Sequence, residues 1–210
     1  MAENEKKLDP RILRTRSLLR NAVIDLVPEK GFDSITVQDI TDRATLNRAT
    51  FYLHYRDKHE LLMDTFETLF NEVMPQPVDF GEALPEYAQQ ILETVFIHIS
   101  KYADFYCRLL GKEGDPLFIS RVRDFVLQVI MAWFKFLQPD EEQAIVPFEI
   151  VTNFLGSAYM GVILWWLEHD MPYSAEFMAT QLLYMTVIGM PRLLGKDEDE
   201  IISSMMNDLG

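Results

Sequence analysis

Between Thr36 and Lys58 the chain reads Thr-Val-Gln-Asp-Ile-Thr-Asp-Arg-Ala-Thr-Leu-Asn-Arg-Ala-Thr-Phe-Tyr-Leu-His-Tyr-Arg-Asp-Lys, and its polar members have the chemistry of a double-helix reader. The guanidinium of Arg48 offers paired donors that match the acceptor edge of guanine. Thr50 and Ala49 are small enough to meet a thymine methyl or to let the backbone approach. Tyr52 and Lys58, with Thr36 and Asn47 at helix starts, suit phosphate, because hydroxyls, ammonium and free backbone N–H groups all favour an anion.

These side chains need a scaffold that aims them together, and the surrounding pattern supplies one. Thr36 with Asp39 forms a capping box that starts a short helix, whose buried stripe is Ile40 and Ala44. Asn47 caps a second short helix reaching Leu53. Phe51 falls on the face of Asn47 and Tyr55, while Arg48 and Tyr52 lie one turn apart on another face. The result is a helix-turn-helix with one packing face and one groove face. Upstream, Asp9-Pro10 is a cap and first-turn proline for a helix carrying Ile12, Leu18, Leu19, Ala22, Val23 and Leu26. Pro28 should tighten or cut short its last turn before Gly31 stops it. Downstream, Asp57 and Glu60 form a second capping box, opening a fourth helix over 57–74 that ends at Pro75 and Pro77.

This set of residues resembles the TetR/AcrR family of one-component transcriptional regulators. The resemblance rests on Gly31-Phe32, Thr36-Val37 and Ile40, Ala44-Thr45-Leu46, Asn47-Arg48-Ala49-Thr50-Phe51-Tyr52, Tyr55 and Lys58, and covers roughly Arg14 to Leu62. Two positions depart from it: Thr45 stands where the turn is usually Gly, and Ala49 where the recognition helix commonly has Gly. Because glycine reaches positive φ without steric cost, Thr45 implies a different turn or local strain. The resemblance implies an all-α protein of about nine helices. Its three-helix DNA-binding domain would span 10–56 and its ligand-binding and dimerisation domain 57–210, with the fourth helix as connector. It also implies that His54 binds phosphate, whereas Leu53, which stands where the family frequently has His or Tyr, does not. A homodimer on a palindromic operator is implied as well. A small-molecule effector would change DNA affinity, and whether the protein represses or activates depends on operator position.

Charge supports the same reading independently. The 210 residues carry a net charge of −14, yet residues 1–60 hold 11 Lys and Arg against 10 Asp and Glu, while residues 61–210 hold 8 against 23. An acidic protein binds phosphate only if its positive groups are segregated. Lys6, Lys7, Arg11, Arg14, Arg16 and Arg20 precede the motif, and Arg48, Arg56 and Lys58 lie within it. The plain alternative is a solvated basic face.

With 49% apolar residues the chain can bury a substantial core. The single Cys107 and the charged N-terminus point to a reducing cytoplasm, and Cys107 reads as a small core residue. The longest apolar run, Phe154 to Leu167, is shorter than the roughly 20 residues of a membrane span. Helices are expected from Pro85 through Tyr102, at Ala103 to Leu110, from Pro116 to Leu137, from Phe148 to His169 and from Ser174 to Leu194. The last two are apolar nearly all round, so they should face a core and a second copy of the chain. Gly156, Met160, Gly161, Ile163, Leu164, Leu167, Leu183 and Val187 are the interface candidates. Phe66, Phe70, Phe96, Tyr102, Tyr106, Phe118, Phe125 and Trp133 could wall an effector pocket, although aromatic residues at helical spacing also serve as plain core. The acidic bias favours a neutral or cationic ligand. His98 and His169 lie in no metal-ligand pattern, so no metal is expected, and no cofactor either. No nucleophile elbow, phosphate loop or triad pattern is present, which argues against an enzyme. The competing reading is a co-regulator whose second domain binds a partner protein. An exposed apolar patch outside the dimer interface, rather than a closed cavity, would mark it.

Overall fold

The computed structural model describes residues 9–74, 84–112, 114–137, 140 and 144–187, with the backbone alone at 84–86, 137 and 187. Among these residues the structure is all-helical, in the order α1 (Pro10–Lys30), α2 (Val37–Arg43), α3 (Arg48–Tyr52), α4 (Lys58–Asn71), α5 (Leu84–Lys101), α6 (Ala103–Leu110), α7 (Pro116–Leu137), α8 (Phe148–Glu168) and α9 (Ala175–Val187). It packs as two compact units, residues 1–70 and 71–210. All of α4 except Asn71 therefore stands with the helix-turn-helix, whereas the boundary expected from the sequence puts α4 on the other side. The expected end of the ninth helix at Leu194 lies outside the described residues, as do Lys6, Lys7, Pro75 and Pro77.

In the first unit the start signals work as written. The Asp9 carboxylate accepts the Arg11 N–H at 2.8 Å, with Pro10 in the first turn of α1. Leu19, Ala22, Val23, Leu26 and Val27 recur on one face and are buried. Pro28 does not cut the helix short; α1 runs on to Lys30, and Gly31 at φ +73° ends it while donating its N–H to Val27. The capping box of α2 is reciprocal: the Asp39 N–H reaches Thr36 Oγ1 at 3.1 Å, and the Thr36 N–H reaches Asp39 Oδ2 at 2.9 Å. The following turn keeps left-handed geometry even without glycine, because Thr45 adopts φ +56°. For a β-branched residue that is strained backbone.

In the second unit, α5 packs on α9 and α7 on α8. Phe134, Phe148, Val151 and Leu155 form a buried cluster between α7 and α8. Trp166 is 1% exposed, meets Phe96 edge to face at 5.1 Å and donates its indole N–H to the Tyr173 carbonyl at 2.9 Å. Three interface candidates belong to this core instead. A Cβ on Gly156 would come within 2.5 Å of Leu127 Cδ2, so this glycine admits α7 of its own protomer. Leu167 and Leu183 are buried inside the unit. Gly161 has open space around it, and the Val187 side chain is outside the described residues. Helix α8 has 21 residues and, by length and composition alone, is long and apolar enough to cross a membrane. The shorter run read from the sequence does not exclude that. A third of its apolar window is buried within the protein.

Thr45→Gly is expected to stabilise the first unit by about 1 kcal/mol. Left-handed geometry costs a residue with a Cβ roughly 1–2 kcal/mol, against about 0.5–1 kcal/mol of extra chain entropy that glycine loses on folding. Thermal unfolding should show a midpoint several degrees higher, and an unchanged or lower midpoint would mean that Thr45 is not strained.

Candidate nucleic-acid interface

Helix α3 has five residues, too few to be stable alone, so its aim depends on what holds it. Asn47 Oδ1 accepts the Thr50 N–H at 2.8 Å and the Thr50 hydroxyl at 3.0 Å. The Thr50 proton is thereby committed, leaving that hydroxyl as an acceptor. Phe51 and Tyr55 point inward and are buried, while Arg48, Ala49, Tyr52 and Leu53 stand outward, Leu53 at 81% exposure. His54 is half-buried beside Tyr55.

Two side chains of α4 hold the segments around this helix. The Tyr55 hydroxyl donates to Asp64 Oδ2 at 2.6 Å, and Arg20 Nη1 reaches the same oxygen at 3.0 Å, so one carboxylate of α4 ties the end of the recognition segment to α1. The Arg16 guanidinium lies 5.5 Å from the centre of the Tyr55 ring. Burial, then the Asp64 contact, pushes the Tyr55 hydroxyl above the usual phenol range, and it stays a donor. Lys58 is the second lock, which corrects its expected role at phosphate. Its Nζ donates to the carbonyls of Phe32, Asp33 and Ile35 at 2.9, 3.0 and 2.9 Å, and lies 4.7 Å from the centre of the Phe32 ring. An ammonium has three protons, and all three are used.

Other basic groups are similarly committed. Lys30 pairs with Asp39 at 2.6 Å, Arg43 with Glu29 at 2.6 Å, and Arg56 with Glu60 at 3.1 Å. The Lys30 ammonium, with both the hydroxyl and the N–H of Thr36, holds the Asp39 carboxyl well below the usual carboxylate range. The second capping box is displaced: Asp57 accepts the His59 and Glu60 N–H groups at 2.9 Å each, but the Glu60 carboxylate takes the Arg56 N–H at 2.6 Å. Among the described residues, Arg11, Arg14 and Arg48 have no carboxylate within ion-pairing distance. Arg48 rests on Tyr52, with its Nη2 3.1 Å and its Nε 3.3 Å from the hydroxyl.

The aromatic residues expected around an effector fall in both units. Phe66 and Phe70 lie in the first unit, 5.9 Å apart. Phe96 and Phe118 are buried core, and Phe125 and Trp133 are half-buried, Trp133 beside Tyr87. Tyr106 and Tyr102 surround His98, with Tyr106 Oη 3.0 Å from His98 Nε2 and the Tyr102 ring 4.9 Å away. An open groove of about 290 Å³ is lined instead by residues 71–74 with Tyr87, Gln90, Ile91 and Thr94. Tyr87 is its one aromatic lining residue, so aromatic spacing in the sequence does not mark it. No group of three metal-ligating side chains occurs among the described residues.

Residues 21–64 match a sequence profile described as bacterial regulatory proteins of the tetR family, and residues 86–187 match one described as a transcriptional regulator C-terminal region. The chain belongs to the TetR family of transcriptional regulators. Over 188 residues it is 41% identical to the HTH-type transcriptional regulator YxbF of Bacillus subtilis, covering 86% of this chain and 47% of that one. It is 27% identical over 89 residues to IcaR of Staphylococcus epidermidis, named as a negative regulator of the biofilm operon icaADBC, covering 41% of this chain and 48% of IcaR. A TetR regulator from Streptococcus agalactiae superposes with a TM-score of 0.61 at 27% identity, over 87% of this chain and 98% of the other. This TetR-family chain spans about half the length of the curated relatives it matches. Those proteins are regulators, not enzymes.

Lys58→Met keeps the stem and removes the donors, leaving three carbonyls uncapped, two of them partly buried. It should cost about 2–3 kcal/mol in the first unit and leave the salt dependence of DNA binding unchanged. A stable variant whose salt slope drops by about one would return Lys58 to phosphate. In the second unit, burial pushes the His98 imidazole below its ordinary value, assisted by Lys101 and opposed by Glu72. The unfolded chain therefore takes up the proton first as pH falls, so the stability is complete above about pH 6.5 and declines below it. Unfolding midpoints between pH 5 and 7 should show that slope in the native protein and a flatter one in His98→Gln.

Proposed function

We propose that this TetR-family regulator binds a palindromic operator as a homodimer and represses transcription until a small molecule in the second unit lowers its DNA affinity. The observation that carries the reading is the Arg48 and Tyr52 edge, exposed on a recognition helix whose Phe51 is buried and whose following residue Tyr55 is held by Asp64. The first unit would read DNA, with Asn47 at a helix start and His54 near phosphate, while Thr36, whose hydroxyl and N–H both go to Asp39, takes no phosphate; the second unit would dimerise and take the effector. A two-fold axis would set the recognition helices in successive major grooves about 34 Å apart. Repression is supported by the likeness to IcaR.

For the dimer, the support is the uncovered stripe of α8. Ile150 at 60%, Phe154 at 66% and Trp165 at 42% exposure recur at helical spacing with Gly161 between them, and α9 adds Met185 at 63%. Half-buried Met160, Ile163 and Leu164 flank it. The effector would enter the groove at residues 71–74, where Glu72 favours a neutral or cationic molecule. Asn71 is also the last residue of α4, so occupancy there acts on the end of the helix that carries the two locks. Release requires the ligand to prefer the conformation that does not bind DNA. A second reading, a partner protein in place of a small molecule, is favoured by one observation. Trp165, His169, Tyr173 and Phe177 form a run of rings around the turn between α8 and α9, with centres 5.2, 6.4 and 4.9 Å apart along Trp165–His169, Trp165–Tyr173 and Tyr173–Phe177.

Sedimentation and mobility shift on the DNA upstream of its own coding region test the proposal together. Phe154→Glu, which puts a charge in the stripe of each copy, should give a monomer that no longer binds a two-site duplex, with a folded first unit. Arg48→Ala should stay dimeric and lose about 1–3 kcal/mol of binding. A monomeric native protein that still binds one half-site tightly would overturn the dimer.

A further inference from the structure

We propose that Tyr52 is a positioning residue for Arg48, fixing the guanidinium so that its end-on edge is presented to a guanine, and that the two side chains read DNA as one unit. The inference rests on the DNA-binding reading above. It replaces the phosphate role that a lone tyrosine at this place would suggest.

Arg48 and Tyr52 are four residues apart on one face of α3, both exposed, with Tyr52 at 49%. Arg48 Nε and Nη2 both donate to the Tyr52 hydroxyl oxygen, at 3.3 and 3.1 Å, and the guanidinium carbon lies 5.6 Å from the ring centre. A guanidinium has two edges that can grip a pair of acceptors: the side formed by Nε and Nη2, and the end formed by Nη1 and Nη2. Tyr52 occupies the first. The end edge keeps its donors, and these match the O6 and N7 acceptors of guanine.

Arg48 has no carboxylate to compete with that grip, so Tyr52 is what restrains it. In water the contact is weak, because solvent competes for both hydrogen bonds and screens the ring. Because it is already partly formed before DNA arrives, part of the rotamer entropy of a long side chain is given up in advance, and the exclusion of water by DNA strengthens both hydrogen bonds. The expected gain is about three- to tenfold in affinity for the cognate duplex, with none for unrelated DNA.

The test is selection from a random double-stranded DNA pool by the full chain in three forms, native, Tyr52→Phe and Arg48→Ala, followed by binding of each to the duplex that the native protein enriches. Tyr52→Phe keeps the ring and removes the hydroxyl that accepts from Arg48. It should lose base preference at the same positions as Arg48→Ala and bind the enriched duplex about three- to tenfold more weakly. Its affinity for a scrambled duplex and its thermal midpoint should not change. Uniform weakening on every duplex, which is the signature of a phosphate contact, overturns the proposal. So does a Tyr52→Phe protein that matches the native one, or one that loses preference at positions Arg48→Ala retains. If Arg48→Ala itself keeps full selectivity, the pair does not read DNA even though the protein binds it. A native protein that enriches no sequence overturns the DNA-binding reading and this inference together.

Discussion

A five-residue helix has no stability of its own, and everything in the first unit follows from that constraint. Helix α3 has room for a single capped turn, so its orientation comes from outside: the Asp64 carboxylate gathers Tyr55 and Arg20 on one oxygen, and the Lys58 ammonium gathers three carbonyls of the segment before α2. Both residues belong to α4. The helix that leads to the second unit therefore also holds the recognition segment to α1 and to the loop preceding α2. A displacement of α4 cannot leave the reading face unmoved unless one of these locks breaks, which suits the helix to transmission on mechanical grounds alone.

The electrostatics of the first unit follow the same economy. Not all of its basic side chains are left for an external anion, since among the described residues Arg20, Lys30, Arg43, Arg56 and Lys58 are bound to the protein's own carboxylates or carbonyls. Positive charge in the sequence is thus a poor measure of positive surface. Near-neutral counts in residues 1–60 conceal a structure in which five of the described cations serve as internal fasteners, and sequence-selective contact would fall to a small number of side chains led by Arg48.

Most of the fold was legible because its signals are local. Asp9-Pro10, the Thr36 and Asp39 box and the Asn47 cap each act within one helical turn, and each does in the structure what its chemistry requires. Thr45 was legible as a problem, and the structure resolves it as strain. What the sequence could not disclose depends on distant partners. Lys58 has the form of a phosphate ligand until the carbonyls of residues 32–35 close around it. Gly156 and Gly161 look alike in a string of letters, yet one admits Leu127 and the other faces open space. Phe96, Tyr106 and Phe118 are buried in the core of the second unit, a destination that periodicity cannot distinguish from a pocket wall.

The apolar stripe along α8 has a further consequence for the life of the chain. Side chains such as Phe154 and Ile150 are two-thirds and three-fifths exposed in a solitary protomer. That surface is the kind that chaperones retain and proteases sample, and it favours aggregation at high concentration. In the dimer proposed above that face is hidden, so the lifetime of a newly made chain would depend on how quickly it meets a second copy.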